Sequence, residues 1–179
     1  MIIPLNPSKL YSRYSFLFLF LLIFSHSYLA AQVQIWGVSQ TGGSESLGSV
    51  FNFYEDGSSF LQKNQFTAAA DGKKPQTAML HSQDGYFYGI TSAGGNHQAG
   101  TIFRLSDQND FQVLYHLNAP TDGSSSRGDM IEISEGVFIG TTQNSGPMAG
   151  GTLFKFSVED GFSVLHSFQS SQGAAPAGG

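Results

Sequence analysis

The sequence predicts an all-β protein made of antiparallel, β-propeller-like (kelch-like) repeats. Two observations carry this prediction. A unit of about 51 residues recurs three times in the chain of 179 residues. Within each unit, apolar and polar residues alternate over short segments that end at glycine or Asp-Gly. Because four short strands per unit of this length is typical of a propeller blade, we expect roughly three incomplete blades of a larger propeller, with essentially no helix after the N-terminal leader.

The repeats are predicted to span about 35–86, 87–137 and 138–179, with the last repeat truncated at the C-terminus. Two glycines recur with the period of the unit, one inside the first strand and one before the second. The first is Gly37, Gly89 and Gly140, and the second is Gly48, Gly100 and Gly151. Two independent markers that keep one period make the repeat a strong signal.

The second strand of the third repeat shows the alternation most clearly. Its residues expected on the buried face are Thr152, Phe154 and Phe156. Lys155 points the other way, and Asn52 and Arg104 hold the same position in the other repeats. We therefore expect this position to meet water in all three units.

Residues 1–31 have the organisation of a secretory signal peptide. Lys9 and Arg13 precede an unbroken apolar run over 16–24, and the small residues Ala30 and Ala31 follow. The run is too short for a membrane-spanning helix, which needs about 20 apolar residues. We expect cleavage after Ala31, no stable membrane span afterwards, and an exported protein at the outer cell surface, outside the cell or in the periplasm. An uncleaved anchor is the alternative.

Charge and cysteine content exclude several classes of function. Eight Lys and Arg stand against 13 Asp and Glu, and the net charge is −5. A chain with this balance lacks the basic surplus that nucleic-acid binding requires. There is no cysteine, which excludes disulfides, thiolate metal sites and a cysteine nucleophile.

No motif in the sequence points to a catalytic or metal centre. There is no Gly-x-Ser-x-Gly nucleophile motif, and no histidine recurs at one repeat position. His166 shares its predicted face with Phe162 and Val164, so we expect a packed histidine rather than a metal ligand. The acidic segment 106–110 lacks the glycine and the distal glutamate of a calcium loop and is interpreted as a hairpin turn. We expect no catalytic residue, no metal and no cofactor, which favours a role other than an enzyme.

Glycine-rich loops join the first two strands of each unit, over 40–48, 92–100 and 143–151. If the units form a propeller, these loops cluster on one face of the ring, where a rigid scaffold commonly carries binding residues. The candidate ligand-binding residues there are Asn96, His97 and Asn144. A flexible connection without a binding role is the alternative.

Two segments carry a resemblance to a known family. They are Phe87-Tyr88-Gly89-Ile90-Thr91 followed by Gly100-Thr101-Ile102-Phe103-Arg104-Leu105, and Phe138-Ile139-Gly140-Thr141-Thr142 followed by Gly151-Thr152-Leu153-Phe154-Lys155-Phe156. This pattern resembles the GloVer repeat of bacterial choice-of-anchor tandem-repeat proteins, and it extends over nearly all of 35–179. The resemblance implies an exported, propeller-like surface protein and no defined reaction.

From these observations we expect a secreted or cell-surface repeat protein that acts as a binding or scaffold module. Its ligand would be a glycan or a surface protein, and its structural partners would be missing C-terminal blades or other copies of the chain. A secreted polysaccharide hydrolase or lyase on a propeller scaffold is the alternative function.

Overall fold

The computed structural model describes residues 33–177, so the predicted signal peptide lies outside the described residues. Strands dominate this part of the chain and form three antiparallel sheets, which confirms the all-β prediction. Helix is limited there to short turns at Ala69–Asp71, Ala119–Asp122 and Ser170–Gln172. Within the same range, no helix combines the length and the apolar character that crossing a membrane requires.

Each sheet is formed by strands that follow one another in the chain. Sheet 1 contains β1 (Gln34–Ser39), β2 (Ser49–Tyr54) and β3 (Leu61–Gln65) in that order. Sheet 2 contains β4 (Lys73–Pro75), β5 (Leu80–His81), β6 (Phe87–Ala93), β7 (Thr101–Leu105) and β8 (Phe111–His116). Sheet 3 contains β9 (Ile131–Ser134), β10 (Val137–Thr142), β11 (Thr152–Ser157) and β12 (Gly161–Ser167).

Strands β4 and β5 both pair with β6, at opposite ends of it. The end of one sequence repeat therefore supplies the first strands of the next sheet. The sequence missed β4 because the segment carries two lysines and ends at Pro75. Proline is accommodated in such a position since an edge strand leaves backbone amides outside the ladder.

The recurring first-strand glycine faces a phenylalanine of the second strand in every sheet. The pairs are Gly37 with Phe51, Gly89 with Phe103, and Gly140 with Phe154. A Cβ atom on Gly140 would lie 2.5 Å from the Phe154 ring. The ring thus lies over the bare glycine backbone, and this contact explains why the glycine recurs.

Each sheet has two faces, which we name by this pair. The front face carries the glycine and the phenylalanine, and the back face carries the residue before the glycine: Trp36, Tyr88 or Ile139. In sheets 2 and 3 the front-face phenylalanines Phe103 and Phe154 are fully buried. The core therefore lies between sheets rather than inside any one of them.

The front face of each later sheet packs on the back face of the sheet before it. Trp36 of sheet 1 stacks on Phe87 of sheet 2, with 3.9 Å between ring centroids. Tyr88 of sheet 2 contacts Phe138 of sheet 3 at 4.4 Å between centroids. The two interfaces use equivalent positions, so one front-to-back contact is repeated along the chain.

Two of the predicted side-chain environments are wrong. Asn52 was expected to meet water but is 2% exposed, because sheet 2 covers the back face of sheet 1. Its amide donates a hydrogen bond to Gln34 at 3.1 Å. His166 was expected to be packed but is exposed. A shift in strand register pairs Leu153 with His166 and Phe154 with Val164, so simple alternation fails between these two residues.

A hydrogen-bonded contact between a turn and a threonine joins consecutive repeats. Thr101 Oγ1 donates to the Asp71 carbonyl at 2.9 Å, and Thr152 Oγ1 donates to the Asp122 carbonyl at 2.7 Å. We call this the turn–threonine contact. Both aspartates precede a glycine with positive φ, Gly72 (103°) and Gly123 (87°).

Only a residue without a Cβ atom fits at these two turns. A Cβ on Gly72 would overlap the Thr101 hydroxyl, and a Cβ on Gly123 would overlap the hydroxyl of Thr142, which is hydrogen-bonded to Thr152. The Asp122 carboxylate fixes the turn itself, accepting hydrogen bonds from the Tyr115 hydroxyl and the Asn118 amide, both at 2.9 Å. The Asp-Gly dipeptide therefore does more than reverse the chain, because it also binds the next sheet.

Replacing Gly140 by alanine is expected to destabilise the protein by about 1–3 kcal/mol, since the new methyl group would overpack against the Phe154 ring. Urea denaturation measures the loss. Gly57→Asn is the control, because Gly57 has a positive φ that asparagine tolerates and its added Cβ would have no neighbour within 4 Å. Equal effects of the two variants would contradict the glycine–aromatic argument.

The Thr152→Val variant keeps the side-chain shape but removes the hydroxyl of the turn–threonine contact. We expect a loss of about 1–2 kcal/mol in the free energy of unfolding, because a buried carbonyl loses a hydrogen-bond donor. Thermal and urea melts measure it. Thr41→Val, at an exposed position, should leave stability unchanged. A Thr152→Val protein as stable as the parent would refute the contact's importance.

Candidate functional site

The three glycine-rich loops share one backbone conformation. In each, an amide near the end of the loop donates to a carbonyl near its start: Gly48 to Gly42 at 3.1 Å, Gly100 to Gly94 at 2.9 Å, and Gly151 to Ser145 at 2.8 Å. A second hydrogen bond closes the tip of every loop, from Ser46 to Gly43, from Gln98 to Gly95, and from Ala149 to Gly146. The loops are thus three copies of one hydrogen-bonded structure.

A left-handed residue that is not glycine occurs at the same place in each loop. Ser46, Gln98 and Ala149 have φ values of 56°, 58° and 60°. This conformation is uncommon outside glycine and asparagine. Its presence in all three loops shows that the surrounding hydrogen bonds, rather than the identity of the residue, set the backbone.

The loops lie at one end of the sheets and are connected through the turns between repeats. The Gly95 amide donates to the Ala69 carbonyl at 2.7 Å, and the Gly146 amide donates to the Ala119 carbonyl at 2.8 Å. Each turn that makes a turn–threonine contact thus also holds the loop of the next sheet. The result is a row of equivalent loops, which we call the loop row.

Exposed tips of different composition stand on this constant backbone. They read Ser44-Glu45-Ser46, Asn96-His97-Gln98 and Pro147-Met148-Ala149. The tips therefore offer carboxylate, amide, imidazole and thioether groups on one framework. Such variation on a fixed framework is typical of a binding surface.

The predicted site residues are distributed over two loops. Asn96 and His97 are adjacent and exposed on the tip of the second loop. Asn144 is also exposed but lies at the base of the third loop, where its backbone pairs with Ser124 through hydrogen bonds of 2.8 and 3.1 Å. The structure therefore brings Asn96 and His97 together and places Asn144 in the neighbouring loop.

An acidic cleft that the sequence did not indicate lies at the opposite end of the sheets. It encloses about 430 Å³ between turns of sheets 2 and 3. Its acidic lining residues are Asp84, Glu135, Glu159 and Asp160. Glu135, Glu159 and Asp160 lie in two hairpin turns of sheet 3, and the packing of the two sheets brings Asp84 of sheet 2 close to them. Within 33–177, no three histidine, aspartate or glutamate side chains form a group that could hold a metal ion.

The Asp84 carboxylate accepts hydrogen bonds from two neighbouring tyrosine residues. Its partial burial opposes ionisation, but hydrogen bonds from the Tyr88 hydroxyl at 2.7 Å and from the Tyr86 amide at 3.0 Å, with the charge of Arg104, hold the pKa of its carboxyl below the usual value. Burial and the hydrogen bond to Asp84 raise the pKa of Tyr88 to about 12. Asp84 is therefore ionised at neutral pH and unsuited to act as a general acid.

Glu132 links the two sheets beside this cleft. Its carboxylate accepts hydrogen bonds from the Ser82 hydroxyl at 2.6 Å, the Gln83 amide at 3.2 Å and the Gly136 amide at 3.0 Å. Desolvation alone would raise the pKa of Glu132, but these three hydrogen bonds outweigh it and lower the pKa.

These features define an all-β tandem-repeat protein whose sheets, turns and loops recur in equivalent positions. A family model for the Gloeobacter/Verrucomicrobia repeat matches residues 25–179. The chain belongs to this family of repeat proteins, which confirms the resemblance found in the sequence. No curated protein matches the chain, and no solved structure matches it.

The Glu132→Gln variant should lower stability at neutral pH by about 1 kcal/mol, because hydrogen bonds to a charged acceptor become hydrogen bonds to a neutral one. The folded-state pKa lies below the ordinary value of 4.5. The stabilisation is therefore complete above that value and is lost as the pH falls through the folded-state pKa. The urea midpoint should therefore decrease less between neutral and acidic pH in the variant than in the parent.

The exposed Glu135 provides the matched control for this experiment. Glu135→Gln should leave the stability at neutral pH unchanged, because the side chain is exposed. An unchanged pH dependence in Glu132→Gln would contradict the role assigned to the Glu132 carboxylate.

Proposed function

We propose that this protein is an exported, non-enzymatic binding module whose loop row recognises a glycan or a surface protein. One observation carries the proposal: three loops with the same backbone present exposed tips of different composition, side by side. Repeat proteins build extended binding surfaces in this way, because each unit contributes one copy of a rigid loop.

The proposed scaffold is propeller-like, with each sheet acting as one blade. The sheets are antiparallel, they follow chain order, and each packs its front face on the back face of the sheet before it. Short strands and face-to-face packing of successive sheets are features of propeller blades. In such an arrangement the loop row occupies one face of the ring.

Export is proposed from the sequence of the leader and from the composition of the remainder. A basic segment, a short apolar run and small residues precede the first repeat. The acidic, cysteine-free composition suits a bacterial protein outside the cell or on its outer surface. The resemblance of the repeat pattern to choice-of-anchor tandem-repeat proteins implies the same location.

The chemistry of the tips favours a ligand rich in hydroxyl or amide groups. Asn96 offers an exposed amide that both donates and accepts, and the adjacent His97 adds an imidazole. Such groups match the paired donors and acceptors of sugar hydroxyls and of peptide backbones. The Gln98 amide is engaged within the protein, because it donates to the Gly95 carbonyl at 3.2 Å and accepts from Lys73 at 3.4 Å. The net charge of −5 disfavours nucleic acid as a ligand.

A glycan array, together with capture of surface proteins from the producing cells, tests the proposal. The parent chain should bind a defined glycan or surface protein, and the Asn96→Ala/His97→Ala double variant should lose about tenfold or more in affinity, because it removes two polar side chains from one tip. Gln83→Ala, at an exposed position on the opposite end, is the control. The absence of any ligand would leave only a scaffold role, and equal binding by both variants would contradict recognition through the Asn96 and His97 tip.

A secreted polysaccharide hydrolase or lyase is the second candidate function. The acidic cleft favours it, because glycoside hydrolysis uses a pair of carboxyl groups. Turnover of polymeric glycans that Glu135→Gln or Glu159→Gln abolishes would establish this function instead. Activity that survives both substitutions would contradict a catalytic role for these two carboxyl groups.

A further inference from the structure

Sheet 1 leaves open a face that is closed in the other two sheets. On its front face, Ile35 is 42% exposed and Phe60 is 64% exposed. Phe138, which is equivalent to Ile35, is fully buried, and Phe162, which is equivalent to Phe60, is half-buried. The front face of sheet 1 therefore carries the same apolar pattern without a described sheet packed on it.

Sheet 3 leaves open the complementary face. On its back face, Ile131 is 59% exposed, whereas the equivalent Leu80 of sheet 2 packs partly buried against the core. Ile139 is half-buried, whereas the equivalent Tyr88 is fully buried. The described part of the chain thus ends in a front face on one side and a back face on the other.

We propose that a second copy of this chain binds head to tail, with the back face of its sheet 3 on the front face of sheet 1. The two interfaces inside the chain are already this contact, repeated at equivalent positions. Inside the chain, Trp36 packs on Phe87 and Tyr88 packs on Phe138. The residue equivalent to Trp36 and Tyr88 in sheet 3 is Ile139, and the residue equivalent to Phe87 and Phe138 in sheet 1 is Ile35. The proposed interface therefore places Ile139 of one copy on Ile35 of the next. The new interface continues the established one.

The polar groups of the contact are also retained at both open faces. Ser39 and Ser49 occupy the positions of the hydroxyl pair Thr91 and Thr101, whose second member binds the turn of the preceding repeat. At the other end of the described chain, the turn Ser170–Gln172 occupies the position of Ala69–Asp71. The equivalent groups at the new interface are therefore the Ser170–Gln172 turn of one copy and Ser49 of the next, which is 6% exposed in the single chain.

This association is heterologous, because two different faces of the chain meet. A heterologous contact generates a ring where the rotation per step closes and an open filament where it does not. Each added copy extends the loop row by its own loops, so assembly would place many equivalent tips on one surface.

Two exposed positions allow each face to be blocked separately. Phe60→Asp places a charge on the front face of sheet 1, and Ile131→Asp places one on the back face of sheet 3. Met148→Asp is the matched control, since Met148 is 54% exposed but lies on a loop tip. Sedimentation velocity of the 179-residue chain over a wide concentration range measures association, and circular dichroism with urea melts verifies that every variant folds.

We expect the parent and Met148→Asp to associate and each blocked variant to associate at least about tenfold more weakly. The decisive sample is an equal mixture of Phe60→Asp and Ile131→Asp. Each variant keeps the face that the other has lost, so the mixture should form a one-to-one dimer that grows no further.

Three outcomes would overturn the proposal. A monomeric parent at all concentrations would mean that another segment of the chain covers the open face or that the face stays in water. Loss of association in Phe60→Asp alone would indicate a symmetric front-to-front dimer. A mixture that forms no dimer would exclude head-to-tail pairing.

Discussion

In the two Asp-Gly turns between sheets, Asp71-Gly72 and Asp122-Gly123, the aspartate carbonyl accepts a hydrogen bond from a threonine of the next sheet, and the rest of the structure depends on this contact. It joins groups about 30 residues apart in the chain, Asp71 with Thr101 and Asp122 with Thr152. The aspartate side chain holds the turn, its carbonyl binds the next sheet, and the following glycine leaves room for the hydroxyl. One dipeptide therefore sets both the direction of the chain and the spacing of the sheets.

Apolar packing supplies most of the stabilising area, but the glycine–aromatic pairs decide its geometry. In every sheet a phenylalanine ring lies over a glycine of the neighbouring strand. In sheets 2 and 3 the ring then fills the front face, which the back face of the preceding sheet covers. Since burial of a large side chain contributes about 1.5–3 kcal/mol, the front-to-back contact outweighs any single hydrogen bond. The turn–threonine contacts place the sheets so that this burial occurs.

The loop row follows from the same construction. The turns that bind the threonines also accept hydrogen bonds from the loop amides of the next sheet, as Ala69 does from Gly95. Scaffold and candidate site are therefore not independent, because a change in a turn would move a loop as well. The side chains of the tips differ between repeats because the hydrogen bonds that hold each tip come from its backbone amides, such as those of Ser46, Gln98 and Ala149. This separation lets one framework carry different side chains such as Glu45 and His97.

The sequence by itself determined the period, the strands and the family, because glycines, alternating apolar residues and Asp-Gly turns are local signals. It also placed the candidate residues Asn96 and His97 on a loop. Only the tertiary structure decided which faces meet. Asn52 is buried because sheet 2 covers it, and His166 is exposed because a change of strand register interrupts the alternation. The acidic cleft likewise exists only once Asp84 of one sheet approaches the hairpins of the next. A local sequence pattern predicts where a strand forms. The burial of its side chains depends on a packed sheet that is distant in the chain.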